Sequence, residues 1–490
     1  MVEAHYLSLP DILVIAGVLI LLVWVGWRAS RSLHSQSDFI LGGKSLPGGL
    51  VGLSLFATLF STLSYLAYPG EMIKYGLVFC AGMLSFPIAG WVVNRFIIPR
   101  ITAQNVSSAY EILEMRLGPG SRRLASVYFL LLRYFWMATI VYATVHAAVV
   151  PLTGLPEAWV PWVCLLMVGI TVLYSTMGGI KAVVWTDAIQ SCLMFLGVIL
   201  TIAIVLSKLG LSALVPPEEV RANWLPWDFT PRLNVRMTVA NIFCMNLCWQ
   251  IFTAGSDQMS VQRYLSVRDA RTAARSFRIS LLSSAVVQLL LAVAGLMAVA
   301  WFSHFPEQLP EGTDLLAEAD TLFPRFILVG LPQGVSGLIV AAILAAAMSS
   351  LSSGLNSSAV VVQEDFLKKS RRYAGRPSSV RDIRRISLII GLIVGLSCSL
   401  VGYVQGNLLD VIIKLVNLVV APLFVLFFMA LFVPGATDKG TIAGALLSLA
   451  VAVAIAIFGV FGITAIWVMP LSFVTGALGA CAFSFLTRRK

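Results

Sequence analysis

Apolar runs about 20 residues long, separated by short polar or basic linkers, recur along the whole chain. An α-helix needs roughly that length to cross a hydrocarbon core of about 30 Å. The runs lie near 10–29, 46–73, 76–98, 122–150, 156–176, 183–207, 236–256, 278–303, 325–365, 386–404, 408–433, 440–461 and 464–486. The ninth is too long for one crossing and is expected to continue as a helix beyond the membrane. Short linkers argue for one compact bundle over 1–490, with no attached soluble domain. The pattern predicts an all-α, polytopic membrane protein of about thirteen transmembrane helices.

Composition agrees. The residues AVILMFWYC make up 59% of the 490 and charged residues only 12%, against roughly 25% in soluble domains. That excludes a water-covered surface, a disordered chain and a secreted disulfide scaffold. The seven cysteines sit in or beside apolar runs; Cys244 and Cys248, one helical turn apart, have no accompanying His or second pair, so buried thiols are expected. The first apolar run lacks preceding basic residues and a small-residue cleavage site, and reads as a retained helix.

The net charge of +11 changes the picture only through its placement. Alternate linkers hold Arg28, Arg31 and Lys44; Arg95, Arg100, Arg116, Arg122 and Arg123; and Arg263, Arg268, Arg271, Arg275 and Arg278. Further on come Lys368, Lys369, Arg371, Arg372, Arg376, Arg381, Arg384 and Arg385, then Arg488, Arg489 and Lys490. The opposite linkers carry Glu307, Glu311, Asp314, Glu318 and Asp320. The positive-inside rule then places the N-terminus outside and the C-terminus in the cytoplasm of a cell-membrane protein, as an odd number of spans requires. The positive charge is topogenic and faces the lipid bilayer, so no nucleic-acid partner is implied.

Several spans depart from a plain lipid-facing helix, and irregular backbone at membrane depth survives only where it is buried or lines a cavity. The second span places Thr58, Ser61, Thr62 and Ser64 mid-run, followed by Pro69-Gly70. The seventh carries Asn246, Gln250, Thr253, Gly255 and Ser256. Their hydroxyls and amides either stitch helices together or line an unwound binding segment. The two spans lie five apart, the separation expected of an inverted five-helix repeat. The ninth span reads AAILAAAMSSLSSGLNSS. At 100° per residue Ser349, Ser352 and Ser353 share an arc of about 100°, with Ser350 beside it and Asn356 within it. This stripe either permits close helix packing or forms an oxygen-only site suited to a hard cation.

Four charged residues lie near membrane depth. Asp187, at the mouth of the sixth span, faces a cavity or cation, or pairs with Lys181 or an Arg. Arg133, midway along the fourth, either holds an anionic solute or bonds backbone carbonyls of neighbouring helices. Asp410 and Lys414, one turn apart on the eleventh, are read as a snorkelling pair.

GGIKAVVWTDAIQ, SDQMSVQRYL and AAAMSSLSSGLNSS resemble three signature segments of the sodium/solute symporter family, in the family's order; SDFILGGKSLPGGLVGLSLFATLFS is similar too. The resemblance covers nearly the whole chain and implies a LeuT-type 5+5 inverted repeat. The first flanking helix would occupy 1–45, the repeats 46–210 and 236–433, and two C-terminal helices 434–490. It implies a common sodium site from carbonyls of Ala57, Phe60 and Ala346 with hydroxyls of Ser349 and Ser350. A second, found in some members, would use Asp187, Ser349, Ser352 and Ser353. Family pocket positions fall on Leu59, Ser61, Thr62, Ser64, Phe79, Met83, Trp136, Gln250 and Thr253, with Arg133 one turn from Trp136. Where the sialic acid symporters carry an Arg and a Gln, this chain has Trp136 and Met83. PGEMIKYGL and VVVQEDFLKK resemble the iodide, monocarboxylate and multivitamin branch instead.

The expected function is sodium-coupled uptake of a small organic solute, two sodium ions per cycle, with no obligatory protein partner. The alternative is a symporter-like membrane sensor working with a separate signalling partner. An enzyme fits least, since His5, His34, His146 and His304 all sit at termini, loops or span ends.

Overall fold

The apolar runs are helical, and no strand occurs among the described residues. The computed structural model describes residues 6–488 except 32, 34, 105, 370–378 and 402–407, and no side chains at 399–401, 408–417 and 488. The expected Asp410–Lys414 pair, and the basic residues Arg371, Arg372, Arg376, Arg488, Arg489 and Lys490, therefore lie outside the described residues or side chains. Helix is the dictated choice, because no water reaches a bilayer core to satisfy open backbone groups.

The principal helices are α1 (Leu9–Ser30), α2 (Gly48–Leu59), α3 (Thr62–Tyr75), α4 (Pro119–Thr144), α5 (Val160–Leu209), α6 (Val239–Ser256) and α7 (Gln258–Leu265). They continue with α8 (Ala270–His304), α9 (Ala319–Val329), α10 (Val335–Val361), α11 (Val380–Val401), α12 (Leu408–Phe432), α13 (Asp438–Ala456) and α14 (Val468–Arg488). Among the described residues eight helical stretches are long and apolar enough to cross a membrane, or nine if the pair Gln36–Lys44 and Gly48–Leu59, bent by 109°, counts as one. The expected count of thirteen is not reached on length alone: two stretches each join runs that the sequence separates, and α6, α11 and α12 are not among the eight. Thr62–Thr102 and Glu157–Leu209 are each continuous.

Continuity does not mean straightness. The 50 residues of α5 would span about 75 Å if straight, far more than a hydrocarbon core. The helix is interrupted at Gly179, whose φ of +56° and ψ of −147° turn the chain. A Cβ there would lie 2.5 Å from the Phe39 carbonyl oxygen, so only glycine fits.

The ninth run divides near its start: α9 ends at Val329 and the chain turns through Leu331–Gly334 before α10 begins. From there Val335–Leu367 is helical for 33 residues, about 50 Å, which is longer than one crossing needs. Pro332 cannot donate a helical hydrogen bond, and Gly334 takes a φ of +86°. The start of α10 is then capped from elsewhere: Asp11 of α1 accepts from the amides of Gly334 at 2.7 Å and Gly337 at 2.8 Å. A carboxylate at a helix N-terminus satisfies open N–H groups and complements the dipole.

The α10 helix forms the axis of the bundle. In its most apolar window 89% of residues are buried, against 17% for the peripheral α1. Glycines allow close approach around it: Gly354 of α10 meets Met137 of α4, Gly26 of α1 meets Tyr174 of α5, and Gly52 of α2 meets Ile279 of α8.

Two arginines assigned to orientation are structural instead. Arg122 is buried and donates from Nε to Asp365 at 2.8 Å, while Ser126 and Ser108 hydroxyls donate to the other oxygen at 2.9 and 3.0 Å. Glu114 joins this network outside the spans; Lys369, then Arg122, hold its carboxyl below the ordinary range. Arg263 is wholly enclosed. Neither faces a lipid surface, so both drop out of the orientation argument.

Candidate functional site

The second span breaks where its hydroxyls cluster. The α2 helix ends at Leu59; Phe60 (φ −99°, ψ 101°) and Ser61 (φ −92°, ψ 169°) are extended; α3 restarts at Thr62. Leaving the helix frees carbonyls that would otherwise accept intrahelical hydrogen bonds. The seventh span breaks too. There α6 ends at Ser256, Asp257 is extended (φ −80°, ψ 123°), and its carboxylate caps α7 by accepting the Met259 amide at 2.9 Å.

The serine stripe of α10 lies against the first break. Ser349 donates to the Ala57 carbonyl at 2.8 Å and reaches the Ala346 carbonyl at 3.1 Å. Ser350 donates to the Thr58 carbonyl at 3.1 Å. Thr62 donates to the Ile343 carbonyl at 2.9 Å, so its hydroxyl ties α3 to α10. The carbonyls of Ala57 and Ala346 and the hydroxyl of Ser349 therefore converge, with Ser350 one residue along and Phe60 at the break. This is an all-oxygen cluster in a buried environment.

The second expected group is only partly assembled. Asp187 is fully buried rather than at an interface, and Lys181 pairs with Asp38 at 3.7 Å instead. The partner of Asp187 is Arg263 of α7, at 2.9 Å. Arg263 also donates to Ser54 at 2.8 Å, Ser353 at 2.6 Å and the Met259 carbonyl at 2.9 Å. Ser54 donates to Asp187 at 2.6 Å, and Ser353 lies 3.5 Å from the same oxygen. Ser352 turns back to the Ser349 carbonyl at 3.0 Å. Asp187 and Ser353 thus meet, while Ser349 and Ser352 use their hydroxyls elsewhere. The remaining Asp187 oxygen, and both amide atoms of Gln190 and Asn356, are buried without a hydrogen-bond partner. Each such group costs about 1–3 kcal/mol unless a cation or water meets it.

Arg133 is also a correction. It bonds neither backbone carbonyls nor an open pocket: its guanidinium is paired with Asp257 at the break of the seventh span. Of the other pocket positions, Met83 instead lines a groove against α8, while several of the rest lie on or beside the broken elements. Ser61 is buried at the start of α3 and Ser64 half-buried one turn on. Gln250 and Thr253 are buried near the end of α6, and Thr253 donates to the Trp249 carbonyl at 2.6 Å. Phe79 meets Tyr68 edge-on at 4.8 Å, and Tyr68 lies 5.8 Å from Phe60. Trp136, on α4, packs half-buried against the same core as Leu63.

Sequence reasoning missed Arg263, Asp257 and Ser54. A signal existed for the first two. By hydropathy the segment after the seventh apolar run reads as a linker, yet all eight residues of α7 are buried. The mixed apolar and polar pattern of QMSVQRYL fits an interior helix meeting partners on several sides.

The Sodium:solute symporter family model matches residues 39–448. The sodium/sialic acid symporter SiaT of Proteus mirabilis is 28% identical over 461 residues, covering 91% of this chain and 89% of its own length. The putative sodium-dependent multivitamin transporter of Drosophila melanogaster is 29% identical, over 90% of this chain and 73% of its own. The substrate-bound, outward-open structure of a Na+-coupled sialic acid symporter superposes with a TM-score of 0.86 at 25% identity, covering 98% of both chains. Mhp1, a nucleobase-cation-symport-1 transporter in a closed conformation, shares the fold at a TM-score of 0.60, with 16% identity and 94% and 96% coverage.

Proposed function

The chain belongs to the sodium:solute symporter family, and from that premise we propose that it carries a small organic solute inward with two sodium ions by alternating access. It is a membrane transporter, not an enzyme, and sodium is its coupling ion. The observation that carries the reading is the convergence of the Ala57 and Ala346 carbonyls with the Ser349 hydroxyl at the break of the second span. In this reading sodium takes these oxygens together with Phe60 and Ser350, joining α2 to α10. An ion shifts a conformational equilibrium only through differential binding, and a site split between two elements supplies it.

The second ion is assigned to Asp187 and Ser353, with Ser349 and Ser352 reorienting toward it. The unpartnered Asp187 oxygen supports this; the Arg263 pair implies that the ion shares the carboxylate with a fixed cation. Thirteen spans follow if the two joined stretches each divide in two and α6–α7, α11 and α12 cross as well, and the paired breaks in α2–α3 and α6–α7 support the 5+5 arrangement over 46–210 and 236–433. Placing the N-terminus outside still rests on the remaining basic linkers.

The solute pocket is assigned to Ser61, Thr62, Ser64, Phe79, Trp136, Gln250 and Thr253: an indole, hydroxyls and one amide. With Arg133 committed to Asp257, this lining suits a neutral or singly charged organic molecule. Each sodium contributes about 2.3 kcal/mol per 100 mV and roughly 1.4 kcal/mol per tenfold gradient. Two ions sustain about a 10⁵-fold solute gradient under those conditions, and one ion only several hundredfold.

A thermal-shift screen of sugars, carboxylates, amino acids and nucleosides, with and without sodium, identifies the solute. Proteoliposome uptake of that solute is expected to require an inward sodium gradient. Uptake indifferent to sodium contradicts the mechanism.

A further inference from the structure

On the bilayer side of the molecule, two helix faces meet along an apolar groove of about 640 Å³. One wall is the segment carrying Met83, Phe86, Gly90 and Trp91; the other is α8, through Leu281, Leu282 and Ala285. Each set repeats at three and four residues, so each is a single helix face. The walls touch at the floor, where a Cβ on Gly90 would lie 3.2 Å from Leu281. Trp91 and Leu282 are 62% and 65% exposed, which in a membrane protein means exposure to lipid.

Both stripes end at the same place, and each ends in an arginine. Arg95 and Arg278 line the groove and enter no ion pair among the described residues. Beside Arg95 the helix widens into a π-turn, Val93–Ile97. There the side-chain oxygen of Asn94 is buried without a hydrogen-bond partner. Such bulges in helices frequently mark functional positions. Two unbalanced guanidinium groups at the end of a lipid-facing apolar trough call for an amphipathic anion. A guanidinium pair matches phosphate geometry, and the apolar walls match an acyl chain.

We propose that this groove binds one anionic diacyl phospholipid. Its phosphate sits between Arg95 and Arg278, and an acyl chain follows the walls toward Met83. The occupant bridges the third span to α8. The opposite face of α8 holds α2 through Ser276, which donates to the Gly48 carbonyl at 2.8 Å. The lipid is therefore one helix away from the broken span.

Native mass spectrometry of the purified full-length protein, titrated with phosphatidylglycerol and phosphatidylcholine, tests this. At about 1 kcal/mol for each basic side chain, wild type is expected to retain phosphatidylglycerol roughly 30-fold better. The double variant Arg95→Gln/Arg278→Gln is expected to lose that preference. Leu282→Trp, at an exposed position, is expected to weaken retention of both lipids by filling the trough, and gives an independent reading if the double variant folds poorly. Arg28→Gln/Arg31→Gln, whose side chains lie off the groove, is expected to leave the preference intact. Equal retention of the two lipids by wild type overturns the proposal. So does an equal loss in the Arg28/Arg31 variant, or displacement of the lipid by inorganic phosphate.

Discussion

A carboxylate enclosed by apolar helices stays ionised only beside a compensating charge, and Asp257 has Arg133 while Asp187 has Arg263. The value of such pairs is asymmetric. Removing one partner strands the other, at about 3–5 kcal/mol, whereas replacing both with apolar residues is often close to neutral. Arg133→Leu and Asp257→Leu are therefore expected to lower thermal stability sharply as single variants and to recover much of it together. Solute affinity in the double variant separates the roles: if Arg133 serves the break in the seventh span, affinity survives, and a loss reassigns the residue to the solute. Asp187→Asn is expected to lower the sodium Hill coefficient for uptake towards one, measured on the folded fraction. An unchanged coefficient removes Asp187 from sodium binding.

At the level of the helices, the sequence made some features readable and hid others. The breaks at Phe60–Ser61 and at Asp257 were foreshadowed by small and polar residues inside apolar runs. The serine stripe of α10 was legible because oxygen-bearing side chains on one face of an Ala-rich helix need a partner surface. The partners themselves were not legible: Arg263 reaches Asp187 across 76 residues of sequence and Arg133 reaches Asp257 across 124. Local periodicity carries no information at that range. Nor did it show that α10 is capped by Asp11 of α1, far away in the chain. Asp11→Ala leaves the Gly334 and Gly337 amides open and is expected to cost about 1–2 kcal/mol in thermal unfolding. No change would mean that water replaces the carboxylate there. At the α5 turn, Gly179→Ala combines a positive φ with a backbone clash and is expected to abolish the monodisperse, folded protein on size exclusion.

Across the molecule, three features together favour symport: a chain too apolar for water, a bundle built around one buried helix, and a broken span set against that helix. A solute gradient is maintained only if ion binding and the two-sided opening of this bundle are linked. The link is proposed to be sodium itself, held by oxygens from α2 and α10. Because the ion is expected to bind without the solute, the claim can be tested before the solute is identified. Thermal unfolding of the purified protein at increasing sodium, with potassium keeping ionic strength constant, measures the site directly. Binding at ten times Kd stabilises the folded state by about 1.4 kcal/mol. The account predicts a sodium-specific rise in Tm that disappears in Ser349→Ala/Ser350→Ala; a rise of equal size in that variant, or none in the wild type, contradicts it.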